Sequence, residues 1–176
     1  MPERREPSKG RFLSRLVRPR RRARGESGTA VVEFALVCMV FLLLVFGIID
    51  FSRLFQSWVT VQHAAREGAR YGSTGRVDCA ISTTDRLACI QYMAKQATAG
   101  LSGAPNNVTV TVKSWDYPGY TEEQDGSAGN ACDALEVTVH YDFSFAAPII
   151  ANVLGGAHIT IPGRERIVNE PFGACK

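Results

Sequence analysis

Apolar residues dominate one continuous stretch of this chain. Val31–Ile49 is 19 residues long and carries a single charge, Glu33. A helix needs about 20 mostly apolar residues to cross the ~30 Å hydrocarbon core of a bilayer, so 31–49 predicts a transmembrane segment. The pattern then changes without a break. Over Asp50–Tyr71, Phe51, Leu54, Phe55, Trp58, Ala65 and Ala69 fall roughly on one helical face. Arg53, Ser57, Thr60, His63, Glu67 and Arg70 lie mostly on the other. No proline interrupts residues 20–104. Residues 29–71 therefore predict one helix, a rod of about 65 Å at 1.5 Å per residue. Gly25-Glu26-Ser27-Gly28 reads as a breaker before it, and Gly72 and Gly75 as its stop signals.

Residues 72–176 carry weaker patterns. Thr84 or Asp85 caps a second predicted helix, roughly Asp85–Leu101, with Leu87, Ile90, Met93, Ala94 and Ala97 facing inward. Val108–Val112 alternates strictly and predicts a strand. Ser114–Asp133 reads as a long polar loop. Leu135–Phe143 alternates again, with Leu135, Val137, Val139, Tyr141 and Phe143 on one face. Ala146–Leu154 is an apolar connection. His158–Ile161 reads as a short strand broken by Pro162-Gly163, and Arg164–Asn169 as a final edge strand. The fold class expected is α+β: a long N-terminal transmembrane and amphipathic helix, then a small antiparallel sheet with a second helix. The long helix's apolar stripe is the natural cover for the sheet. The domains are a basic leader at 1–28, the long helix at 29–71 and an extracytoplasmic domain at 72–176.

Charge orients the span. Residues 1–28 hold ten Lys/Arg against Glu3, Glu6 and Glu26, a net +7, whereas the whole chain is only +3. A basic segment directly before a span stays in the cytoplasm, so residues 50–176 are expected outside. The same run could be a solvated tail touching nucleic acid. The span that follows favours membrane orientation and membrane lipid as the partner, with no nucleic acid. A secretory signal peptide fits poorly. The apolar run exceeds the usual 7–15 residues, and no small-x-small cleavage site follows Ile49.

Of five cysteines, Cys38 sits inside the span and packs there. Cys79, Cys89, Cys132 and Cys175 lie in the exported part, an even number in an oxidising compartment, which suggests two disulfides. Of three pairings, Cys79–Cys89 closes a short loop and Cys132–Cys175 ties down the chain end, and this pairing is favoured.

Catalytic chemistry finds little support. His63, His140 and His158 are scattered, and no hydrolase, zincin or phosphate-loop motif occurs. Asp116, Glu122, Glu123, Asp125 and Asp133 cluster without EF-hand spacing, and read as a solvated acidic loop. No catalytic residue, metal or cofactor is expected.

The sharpest feature is Gly28-Thr29-Ala30-Val31-Val32-Glu33-Phe34. A carboxylate at membrane depth is expensive and should have a partner. Were the chain cut after Gly28, Thr29 would carry a free ammonium, and Glu33, one turn on, could neutralise it in its own or a neighbouring chain. Glu33 also reads as a first-turn acid favoured by the helix dipole.

This arrangement resembles a type IV prepilin cleavage signal. More closely, Glu33–Val37, Phe46–Phe51 and Ala64–Tyr71 are similar to the N-terminal pattern of TadE-like proteins, minor pseudopilins of the tight-adherence (Flp) pilus. The likeness covers about Ser27–Gly72. Met39 stands where the family often has Pro, and Asp50 where it usually has Glu. The resemblance implies a bacterial inner-membrane protein, cut between Gly28 and Thr29 by a prepilin peptidase. It makes Glu33 a registration residue in assembly, with pilus subunits and the tight-adherence secretion machinery as partners. The competing reading is an unprocessed single-pass membrane protein whose outer domain binds a ligand or envelope partner. A membrane-anchored hydrolase ranks last for want of a motif.

Overall fold

The computed structural model describes residues 26–81, 84–146, 152, 155–156 and 158–175. The basic leader to residue 25 and most of the connection after Ala146 lie outside them. Two compact units divide between Val40 and Phe41.

Helix α1 spans Glu26–Ser73, 48 residues. It takes in most of the expected breaker: Glu26, Ser27 and Gly28 are helical. One glycine costs a helix about 1 kcal/mol, which cooperative propagation from the long helix behind it outweighs. The first unit holds the helix to Val40, and its apolar side chains are exposed, Phe34 at 72%. An 18-residue window of this helix has mean hydropathy 2.9, and none of it is buried.

The second unit begins with Phe41. Its sheet has four antiparallel strands, β1 (Val108–Trp115), β2 (Glu123–Asp125), β3 (Ala134–Ser144) and β4 (His158–Val168), in the order β2-β1-β3-β4. The register puts Val110 beside Val139, Val112 beside Val137, and Tyr141 between Val108 and Ile161. Because side chains alternate across a strand, these residues share one face, and all are buried.

Val61, Ala64, Ala65, Gly68, Ala69 and Gly72 of α1 are buried, and this small-residue stripe lies close over the sheet. A Cβ on Gly72 would stand 2.5 Å from Leu135 Cδ2 and 2.7 Å from Ile90 Cδ1. Gly72 is therefore a packing residue inside the helix rather than its stop. The chain turns at Gly75, whose φ is +70°. Of the expected stripe, Ala65 and Ala69 are buried and Leu54 packs against the core, but Phe51, Phe55 and Trp58 are exposed and Ser57 is buried in their place. Bulky aromatics would hold the helix away from the sheet, and small residues let it approach.

Helix α2 (Arg86–Ala97) is capped by Asp85, whose Oδ1 accepts from Leu87 N at 3.0 Å. Cys89, Ile90 and Ala94 are buried. The helix stops before the expected Leu101, at the C-cap Thr98, whose hydroxyl donates to Lys95 O at 2.7 Å. Leu101 still joins the core from the turn beyond.

Two loop readings are corrected. Glu123–Asp125 forms β2 within the polar loop, held by Lys113, which pairs with Glu123 and with Asp125 at 3.0 Å. Pro162-Gly163 does not break the last strand. β4 is an edge, where a proline's missing N–H faces outward. The Pro162 carbonyl also faces outward and accepts from Gln62 Nε2 at 3.2 Å. A Cβ on Gly163 would stand 2.5 Å from Val61 O, so glycine lets the strand pass under α1.

Candidate functional site

Gly28, Thr29, Val32, Glu33 and Leu36 line one shallow groove on the exposed helix, all within the first unit. Thr29 and Glu33 are four residues apart in α1, one turn. None of the ion pairs among the described residues involves Glu33. The Gly28–Thr29 bond joins the third and fourth residues of the helix. A Cβ at Gly28 would meet nothing within 4 Å, so the bond is open to approach.

Asp50, the next charge along the helix after Glu33, behaves differently. It is only 2% exposed. Its Oδ1 accepts from Ala146 N at 3.0 Å and from Arg53 Nη1 at 3.2 Å. The Arg53 guanidinium lies 5.5 Å from the centre of the Phe143 ring. Asp50 thus fixes the end of β3 to the helix just past the span. Its position in the Phe46–Phe51 block made it visible, but a partner 96 residues away was not.

The cysteines come together in two pairs, Cys79 with Cys89 and Cys132 with Cys175, each with Cα atoms 5.5 Å apart. Both separations suit a disulfide. Cys38 is a free, half-buried cysteine. The acidic loop is less solvated than expected at one point. Asp133 is buried, its Oδ1 accepting from Tyr117 N at 2.9 Å and its Oδ2 from Asn130 N at 2.5 Å. It organises the loop instead of presenting a ligand. Among the described residues no three His, Cys, Asp or Glu side chains converge on a metal-sized site.

Several groups outside the span are electrostatically tuned, Asp78 and Tyr141 among them. The Asp78 carboxyl is held below the usual carboxylate range by hydrogen bonding to Arg76. Burial pushes the Tyr141 phenol up, and its hydroxyl donates to Ser102 O at 2.8 Å. Both are structural contacts, far along the chain from Gly28 and Glu33.

One long apolar helix, exposed along its first half and carrying a small α+β domain with its second, fits a single-pass membrane protein. Residues 28–70 match the family model described as TadE-like protein. The matched segment takes in Gly28, Thr29, Glu33 and Asp50 and ends on the last turn of α1, and it is consistent with a TadE-like protein. No curated protein and no solved structure matches the chain.

Proposed function

We propose that this chain is a pseudopilin of the tight-adherence (Flp) type IV pilus, cut after Gly28 by a prepilin peptidase. Its basic leader stays in the cytoplasm, the span stores it in the inner membrane, and the α+β domain faces outward, where both cysteine pairs oxidise. After the cut, chains pack helix against helix with other pilus subunits and the secretion machinery. The Thr29 ammonium of one subunit is then neutralised by Glu33 of another.

The observation that supports this most is the exposed groove holding Gly28, Thr29 and Glu33 together inside the family-matched segment. A carboxylate in an apolar, uncovered helix face is costly in lipid and acquires a partner once helices assemble. The competing reading, an unprocessed single-pass anchor, draws on the helical state of Gly28, since a peptidase must first open that turn.

The mature N-terminus separates the two. Co-expression with a competent prepilin peptidase should shorten the chain by 28 residues and leave Thr-Ala-Val-Val-Glu at its start. Gly28→Arg should abolish the shift. A membrane form that still begins at Met1 beside an active peptidase would establish the anchor instead.

A further inference from the structure

Within the second unit, Leu44, Ile48, Phe51, Phe55 and Trp58 recur at four- and three-residue steps and so form one stripe of α1. Each is between 49% and 69% exposed. The opposite side at the same level is covered by the domain: Asp50 is 2% and Ser57 5% exposed, and Val61 is fully buried. The stripe is continuous with the uncovered apolar surface of Phe41–Ile49 and passes beyond the expected end of the span by nine residues. Ile161 and Pro162 of β4 border it, forming a shallow apolar groove with Phe55 and Trp58. On the same helical face the next positions are Gln62 and Arg66, and Arg66 is paired with Glu165. The apolar character therefore stops abruptly after a tryptophan.

We propose that this stripe sits in the lipid of the domain-side leaflet, so that the folded domain is seated on the membrane surface. The fourteen steps from Leu44 to Trp58 cover about 21 Å of helix. Half a bilayer offers about 15 Å of hydrocarbon and roughly 5–8 Å of headgroups. Placing Trp58 at the headgroup level, where tryptophan rings concentrate, puts the midplane of the bilayer near Leu44. Along this length the Asp50, Ser52 and Ser57 side chains are bonded within the protein, while Gln56 is exposed to one side of the stripe. The Ser52 hydroxyl donates to Ile48 O at 2.8 Å, and the Ser57 hydroxyl to Arg53 O at 2.8 Å. Asp50 is turned into the domain, with Ala146 N and Arg53 on its carboxylate. Lipid suits the stripe better than a second helix does. Helix interfaces in membranes favour Gly, Ala, Ser and Thr, and here those residues occupy the sheet-facing side while the stripe holds only large side chains.

The proposal rests on the single-pass reading, and the test keeps the two apart. The full chain is reconstituted in phosphatidylcholine/phosphatidylglycerol vesicles containing lipids brominated either near the headgroup or near the chain ends. One variant, Trp115→Phe, leaves Trp58 as the only tryptophan. A control carries Leu44→Trp with Trp58→Phe and Trp115→Phe. The proposal expects blue-shifted Trp58 emission, quenched most by the headgroup-proximal bromines, with the Leu44→Trp signal quenched most by the deep ones. A quenched Leu44→Trp with a Trp58 that lipid does not touch and aqueous iodide does would overturn it and leave the span intact. A Trp58 shielded from both quenchers, with emission varying with protein density, would assign the face to a second copy and equally overturn it. Iodide access at both positions would refute the span, and the proposal with it.

Discussion

Replacing Asp50 with alanine should loosen the junction between α1 and the end of β3 while leaving the sheet assembled. The carboxylate is 2% exposed and accepts the Ala146 amide at 3.0 Å. A buried hydrogen bond to a charged group is worth about 1.5–3 kcal/mol, and truncation leaves the amide unpaired. The pair with Arg53, at 3.2 Å and with the arginine partly exposed, adds less than about 1 kcal/mol. Two terms act the other way. Alanine favours the helix by up to about 0.7 kcal/mol over aspartate, and removing a buried charge relieves its desolvation. A net loss of about 1–3 kcal/mol remains, against the 5–15 kcal/mol typical of a whole fold. Asp50→Asn keeps an acceptor oxygen and should lose less. Amide exchange resolves the effect locally. Protection at Ala146 should fall in Asp50→Ala by roughly tenfold or more, since 1.4 kcal/mol is one decade, while Val137 and Val139 keep theirs. Wild-type exchange at Ala146 in Asp50→Ala would refute the reasoning.

Other predictions follow from the packing. Gly163→Ala drives a Cβ to 2.5 Å from the Val61 carbonyl, a backbone atom, and should cost about 1–3 kcal/mol or more in denaturant unfolding. Gly72→Ala meets side-chain atoms of Leu135 and Ile90 rather than backbone and gains about 1 kcal/mol of helix propensity, so it should cost clearly less; equal costs would contradict the backbone contact. Mass mapping without reductant should find Cys79–Cys89 and Cys132–Cys175, and reduction should cost about 2–5 kcal/mol per bridge; a crossed pairing would refute the connectivity. Burial raises the folded-state Tyr141 pKa above its ordinary value near 10, so its contribution is complete below that pH and fades as pH climbs through the raised value. Tyr141→Phe should weaken the alkaline fall in stability, and an unchanged alkaline limb would remove Tyr141 as a cause.

Much of this architecture was legible wherever one rule governed a segment. The uninterrupted run from Val31, the alternation of Leu135–Phe143 and the Asp85 cap each declare themselves locally. Three readings failed because the deciding partner lies elsewhere in the chain. The polar Glu123–Asp125 has no strand pattern of its own, and Lys113 across the ladder makes it one. Pro162-Gly163 looks like a break until β4 is known to be an edge passing beneath Val61. The amphipathic half of α1 has large residues on one side and small ones on another, and hydrophobicity ranks the large ones inward. Packing distance selects Ala64, Ala65, Gly68 and Gly72 instead. At the candidate site, Gly28, Thr29 and Glu33 were visible from order and spacing along one helix. The Asp50–Ala146 contact required the folded sheet.

Glu33 offers the most direct measurement of the assembly account. Glu33→Val removes the carboxylate that the account pairs with a neighbouring Thr29 ammonium and makes the span more apolar, so membrane levels and cleavage should be normal. An unpaired charge costs ~2.5–3.5 kcal/mol at the bilayer centre and less near its edge. Since 1.4 kcal/mol is tenfold, incorporation of the processed chain into sheared pili should fall by about an order of magnitude, with Glu33→Asp intermediate. Incorporation and piliation at wild-type levels in Glu33→Val would contradict the account and leave Glu33 as a first-turn partner of the helix dipole.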